Sequence, residues 1–210
     1  KGRITPDEFI PLAEESGLII DISNWVFKEV CSNVRIWKER YRKELQVSIN
    51  TSPSHYFNME SNITQWLNLL LEQHISARSI LLEVTENLLM EADETVSKKL
   101  FQFRQAGVDI ALDDFGTGFS SISYLKRFPT DLIKIDRSFV KSMTDVSNDK
   151  VLCEAIIVMA KKLGIKVVAE GVETQEQYDI LKGMGCDYAQ GYLIAEPLSK
   201  TDFEAFWQKH

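Results

Sequence analysis

Cysteine and histidine are scarce in these 210 residues, with three of each: Cys31, Cys153 and Cys186, and His55, His74 and His210. An odd, widely spaced set of cysteines without a C-x-x-C pair excludes a disulfide framework and a thiolate zinc site. So few imidazoles argue against a His-rich transition-metal centre. Proline and glycine are also sparse, at 5 and 10. Together with 44% hydrophobic residues, that excludes collagen-like, low-complexity and disordered readings. No apolar run reaches the roughly 18 residues that a membrane-spanning helix needs. Positive charge is in deficit: 24 Lys and Arg face 31 Asp and Glu, for a formal charge of −7. That balance argues against non-specific duplex binding, which depends on neutralising phosphates. It leaves room for a small phosphate-bearing ligand held through metal ions. No charged-then-apolar signal segment follows Lys1, and the expectation is a cytoplasmic domain cut from something longer, such as the cytoplasmic part of a membrane-attached protein.

What is present is alternation. Thr5-Pro6-Asp7-Glu8 reads as an N-cap, a proline at the first helical position and acid in the first turn, and predicts a helix to about residue 16, ended by Gly17. Asp21-Ile22-Ser23 then opens a helix carrying Trp25, Val26, Val30, Val34 and Trp37 at helical spacing. From residue 45 the pattern changes. Short apolar runs at 45–50, 80–85, 108–113, 132–136, 166–170 and 188–193 alternate with helix-period stretches at 63–72, 92–106, 150–163 and 175–184. Repeated strand and helix predict parallel βα units in a single domain over residues 1–210.

Each predicted strand delivers polar groups at its C-terminal end: Asn50, then Glu83 and Glu86, Asp113-Asp114, Lys134 and Asp136, Glu170 and Glu173, and Gln190. Side chains alternate across a strand, so Ser48 and Asn50 share one face while Val47 and Ile49 share the other. An apolar face toward helices and a polar face ending in functional groups fits an α/β fold of the (β/α) barrel kind, whose active sites sit at that end. Taken singly, an acid at a strand end more often caps a helix or meets solvent. Asp113-Asp114 ahead of Phe115-Gly116-Thr117-Gly118 reads on its own as a glycine-bearing turn. Lys134 is harder to dismiss, because a lysine within the apolar run Leu132-Ile133-Lys134-Ile135 must find anionic partners or shift its pKa. Six strands aiming such groups at one end form a joint signal. The oxygen-rich set Asn50, Glu83, Asp113, Asp114 and Glu170 favours Mg²⁺ or Mn²⁺ over zinc. Two such ions suit phosphodiester hydrolysis, with Lys134 orienting the water or offsetting charge on the phosphate.

The ordered motifs Phe9-Ile10-Pro11-Leu12-Ala13-Glu14, Ser48-Ile49-Asn50-Thr51-Ser52, Glu83-Val84-Thr85-Glu86, Asp113-Asp114-Phe115-Gly116-Thr117-Gly118, Lys134-Ile135-Asp136, Ala169-Glu170-Gly171-Val172-Glu173 and Gln190-Gly191-Tyr192 resemble the EAL-domain cyclic-di-GMP phosphodiesterases. The resemblance implies a TIM-like barrel that linearises cyclic di-GMP to pGpG with Mg²⁺ or Mn²⁺. It implies that Asn50, Glu83 and Asp113 hold one ion, and that Asp113 and Asp114 hold a second, with Glu170 as a further ligand or the base. By the same resemblance Lys134 positions the attacking water, Gln190 supports the water and metal network at the substrate, and Asp136 makes a guanine-side contact. Glu86 and Glu173 stand behind these groups, Glu86 bracing the loop over residues 115–121, which in the family also contributes to dimer contacts.

Two departures stand out. His55 occupies a position where the family pattern often has Gln, and the Glu-Ala-Leu tripeptide is absent. In the family that tripeptide lies on an upstream strand and its glutamate is a metal ligand. Six predicted strands against the eight of a closed barrel lead to the expectation of a barrel lacking its first two strands. Open edges would then favour a homodimer or a strand-exchanged oligomer, and metal affinity in the fragment would be weakened. Three other readings remain: a cyclic-di-GMP receptor that does not cut, a protein-interaction module on a barrel scaffold, and an enolase-type metal barrel.

Overall fold

The structure, a computed structural model, describes residues 4–57, 63–117, 125, 127–143 and 147–209. Two compact units divide it, one formed by residues 1–113 and 118–131, the other by residues 114–117 and 132–210.

The first unit begins with α1 (Pro6–Glu15), which has Pro6 at its start and Asp7 and Glu8 in its first turn, as the sequence predicts. The Thr5 side chain makes no cap bond. Its backbone carbonyl instead accepts from the Glu8 and Phe9 amides at 3.0 and 3.3 Å. Gly17, at φ +78°, makes the left-handed turn that ends the helix. Helix α2 (Ile19–Tyr41) starts ahead of the predicted Asp21-Ile22-Ser23 opening, because its buried stripe of Ile19, Ser23, Phe27, Cys31 and Val34 already begins at Ile19. Trp25, which the spacing groups with the apolar residues, lies off that stripe and is 63% exposed.

Strands β1 (Val47–Asn50), β2 (Ile80–Thr85) and β3 (Asp109–Phe115) follow in chain order. Both pairings are parallel, with Asn50 opposite Glu83 and Thr85 opposite Asp113. Between and after them come α3 (Pro53–Phe57), α4 (Ile63–Glu72), a 3₁₀ turn at Ala77–Ser79, α5 (Glu86–Glu91) and α6 (Glu94–Gln105). The core is built from β2, buried from Ile80 to Val84, and from Trp66, Leu70, Val96, Leu100 and Phe103 of α4 and α6. The Trp66 ring stacks on Phe27 at 4.2 Å between centroids, and its indole N–H donates to Asn24 Oδ1 at 2.7 Å. Burying each large apolar side chain contributes about 1.5–3 kcal/mol.

The second unit runs β4 (Leu132–Ile135), α7 (Arg137–Lys141), α8 (Asn148–Leu163), β5 (Lys166–Ala169), α9 (Gln175–Met184), β6 (Tyr188–Ala189) and α10 (Lys200–Lys209). Its strands also pair in parallel, with Lys134 opposite Val168 and Ala169 opposite Ala189. Ser147 caps α8, and Thr174 with Gln177 forms a reciprocal capping box on α9. Strand β6 holds two residues where a run over 188–193 is expected. Past Ala189 the chain leaves the sheet: the Val172 amide donates to the Gln190 carbonyl at 3.0 Å, and Leu193 donates to the Val172 carbonyl at 3.0 Å. A Cβ at Gly191 would lie 2.2 Å from the Val172 carbonyl oxygen, so only glycine allows that crossing. Among the described residues no helix is long and apolar enough to cross a membrane.

Candidate metal and phosphodiester site at the strand ends

In the first unit the parallel register sets the site. Asn50 ends β1 opposite Glu83, and Asp113 lies two residues past Ala111, which is itself opposite Glu83. Residues opposed in a parallel ladder, and residues two apart on a strand, face the same way. Asn50, Glu83 and Asp113 therefore share one face of three adjacent strands. Asn50 is exposed, Asp113 half-buried and Glu83 only 5% exposed. Glu86, also buried at 4%, occupies the first turn of α5, where a carboxylate suits the helix dipole. Thr85 caps that helix through its side-chain oxygen, which accepts from the Leu88 amide at 3.4 Å. The loop that Glu86 is expected to brace, over residues 115–121, is described only to residue 117; its remainder lies outside the described residues.

In the second unit the same parity places Lys134 and Glu170 on one face, since Lys134 opposes Val168, two residues before Glu170, while Gln190 is exposed just past the end of β6. Lys134 Nζ lies 2.6 Å from Glu170 Oε1, with the side chains 6% and 17% exposed. An anionic partner of the kind that a lysine in an apolar strand demands is thus Glu170. The backbone fixes the acid from both sides: the Glu170 amide donates to the Ile135 carbonyl at 3.1 Å, and the Gln190 amide donates to the Ala169 carbonyl at 2.8 Å. Asp136, half-buried, caps α7 by accepting from the Ser138 amide at 2.9 Å and from the Ser138 hydroxyl. Glu173 is exposed, and its amide donates to Gln177 Oε1 at 2.8 Å. Gln177, which the motif reading passes over, is buried and also donates to the Val140 carbonyl at 3.2 Å. The spacing Thr174-x-x-Gln177 is the sequence signal for it.

Neighbours on a regular strand point to opposite faces, so Asp113 and Asp114 would not meet. Asp114 breaks the alternation with φ +54°. Its carbonyl accepts from the Thr117 amide and hydroxyl at 3.3 and 2.9 Å, closing a short turn. The outcome within the second unit is that Asp114 and Glu170 each offer a carboxylate oxygen, the two within 4.8 Å of one another. Two hard carboxylate donors at that separation, without nitrogen or sulfur ligands, suit a hard divalent cation.

Residues 1–197 match the family described as "EAL domain". The chain belongs to the EAL family. It is 38% identical over 197 residues to the bifunctional diguanylate cyclase/cyclic di-GMP phosphodiesterase MucR of Pseudomonas aeruginosa, covering 94% of this chain and 29% of that protein. It is 36% identical over 210 residues to the cyclic di-GMP phosphodiesterase PdeR of Escherichia coli, covering 100% of this chain and 32% of that protein. The EAL chain thus spans less than a third of the length of these curated relatives. Among solved structures it is similar to "PaMucR Phosphodiesterase, c-di-GMP complex", with TM-score 0.89 and 36% identity over 95% of this chain and 81% of that one. It is also similar to the EAL domain of Mycobacterium smegmatis DcpA, with TM-score 0.82 and 32% identity over 89% and 84%. The fold class is accordingly the α/β, TIM-like class of EAL domains, in agreement with the βα alternation and the strand-end motifs.

Proposed function

We propose that residues 1–210 act as one EAL phosphodiesterase domain that hydrolyses cyclic di-GMP to linear pGpG with Mg²⁺ or Mn²⁺. The observation that carries this reading is the approach of the Asp114 and Glu170 carboxylate oxygens to within 4.8 Å, with Lys134 Nζ 2.6 Å from Glu170 Oε1. Asn50, Glu83 and Asp113 hold one ion in this reading, and Asp113 and Asp114 hold a second, with Glu170 as ligand or base. Bound there, the ions polarise the phosphoryl oxygens and lower the pKa of a water molecule.

The remaining work falls to the protein. Lys134 Nζ holds Glu170 Oε1 at 2.6 Å, which orients that carboxylate to accept a proton from the attacking water. Lys134, as a cation in a desolvated setting, also offsets charge that develops on the phosphate. Water adds to phosphorus, the bond from phosphorus to one ribose 3′ oxygen breaks, and that oxygen leaves with a proton. Asp136 and Gln190 contact the nucleotide, while Glu86 and Glu173 support the groups in front of them. The protein works in the cytoplasm, where dispersed thiols stay reduced, as a homodimer or strand-exchanged oligomer.

The test is incubation of the full-length protein with cyclic di-GMP and either Mg²⁺ or Mn²⁺, with chromatography for the linear dinucleotide. Appearance of pGpG, lost in Glu83→Gln, supports the reading. Nucleotide binding without turnover replaces it with a receptor, and absence of binding replaces it with an interaction module.

A further inference from the structure

The chain immediately after Asn50 carries a hydroxyl relay that the metal reading does not use. Thr51 lies one residue beyond β1, and both its amide and its Oγ1 donate to the Glu83 carbonyl, at 3.1 and 2.7 Å. One backbone oxygen of a proposed ligand is therefore held twice by the residue that follows another proposed ligand. The Thr51 hydroxyl has a single proton, already given to Glu83, so in its 3.0 Å contact with Tyr56 Oη the phenol is the donor.

Tyr56 itself cannot shift easily. It belongs to α3 and is 0% exposed. Lys99 Nζ of α6 donates to the Tyr56 carbonyl at 2.8 Å and to the His55 carbonyl at 3.4 Å. The turn between Asn50 and α3 is pinned as well: Ser52 Oγ donates to Glu14 Oε1 at 2.7 Å and accepts from the Ser54 amide at 3.2 Å. The phenol is thus a fixed post, and Thr51 transmits its position to the ends of β1 and β2.

We propose that Thr51 and Tyr56 are positioning residues whose linked hydroxyls hold Asn50 and Glu83 in the mutual geometry that metal binding requires. The proposal rests on the assignment of Asn50 and Glu83 as ligands. Ligands must be held to within about 0.5 Å of the productive arrangement, and a buried relay satisfied at every member is a device that can do so.

The experiment is a Mn²⁺ titration of the full-length protein followed by electron paramagnetic resonance. The variants are Tyr56→Phe, Thr51→Val, Thr51→Ser and Glu83→Gln, each checked by circular dichroism and thermal melting without metal. Tyr56→Phe and Thr51→Val are expected to remain folded and to raise the Mn²⁺ dissociation constant about tenfold, the lower end of the range for groups that orient ligands. Thr51→Ser keeps the hydroxyl and is expected to bind as the unaltered protein does. A purely structural role would lower the melting temperature and leave the dissociation constant of the folded protein unchanged. Wild-type Mn²⁺ affinity in Tyr56→Phe and Thr51→Val, with weakened binding in Glu83→Gln, overturns the relay alone. Wild-type affinity in Glu83→Gln overturns the ligand assignment and the relay with it.

Discussion

Lys134 and Glu170, on and directly after two neighbouring strands, meet with Nζ 2.6 Å from Oε1 while both are largely withdrawn from water. Ile133 and Ile135, which flank the lysine, are fully buried. Two charges in such a setting stabilise each other only when the geometry is close, and removing one partner costs more than the pair contributes. The pair therefore couples folding to chemistry, because the same contact that makes a buried lysine tolerable also orients the proposed base.

Replacing the lysine should show both effects. Lys134→Met is expected to lower stability by about 3 kcal/mol in urea unfolding. It should also reduce cyclic-di-GMP turnover about 100- to 1000-fold, the scale of losing one preorganised charge. Lys134→Arg should not restore activity, since a planar fork does not reproduce a single ammonium contact. Full activity in Lys134→Met would remove the lysine from the mechanism.

Asp114 sets stability against activity. Its φ of +54° costs an L-residue about 1–2 kcal/mol, a cost that glycine avoids at the expense of about 0.5–1 kcal/mol of chain entropy. Asp114→Gly is expected to melt at the same temperature as the unaltered protein or slightly higher, while losing Mn²⁺ affinity and turnover. A large drop in melting temperature would mean that the Asp114 side chain is chiefly structural.

His55 makes stability depend on pH. Burial, and secondarily the nearby charge of Lys99, lowers its pKa from 6.5 to about 4. Above pH 6.5 the imidazole is neutral in both states and its contribution is fully present. As the pH falls toward 4, the unfolded chain takes up a proton that the folded protein refuses, so stability is lost through that window. The loss reaches at most about 1.4 kcal/mol per pH unit. Urea midpoints measured from pH 7 to pH 4 should fall more steeply for the unaltered protein than for His55→Gln; equal slopes would contradict the assignment.

Cys31 and Cys153 should be chemically quiet. Burial pushes both thiols up to about 12, with the Asp149 charge adding to the effect at Cys153. The thiolate is the reactive form. Iodoacetamide at pH 8 is expected to leave both unmodified in the folded protein and to label both in urea, as mass spectrometry of the peptides would read out.

Individual elements show what could be read early. The helices at Ile63–Glu72 and Gln175–Met184 and the strand Ile80–Thr85 match the predicted bounds, because each carries an unbroken apolar period and clear end signals. The run over 188–193 predicts too long a last strand, since Leu193 looks like a strand residue while its amide donates to the Val172 carbonyl. Asp136 shows the limit for single site residues: the motif suggests a nucleotide contact, and the structure reveals that it caps α7. The two roles are compatible, but only one leaves a trace in local spacing.

The sequence by itself determined the alternation of strand and helix and the placing of Asn50, Glu83, Asp113, Lys134, Glu170 and Gln190 at strand ends. Periods of 2 and 3.6 residues are properties of the local chain. Only the tertiary structure decided that Lys134 meets Glu170, that Thr51 ties Tyr56 to the Glu83 carbonyl, and that Asp114 takes a left-handed backbone. The physical reason is that such contacts depend on register and backbone angles between residues far apart in the chain or off the regular period, and neither leaves a periodic mark in the sequence.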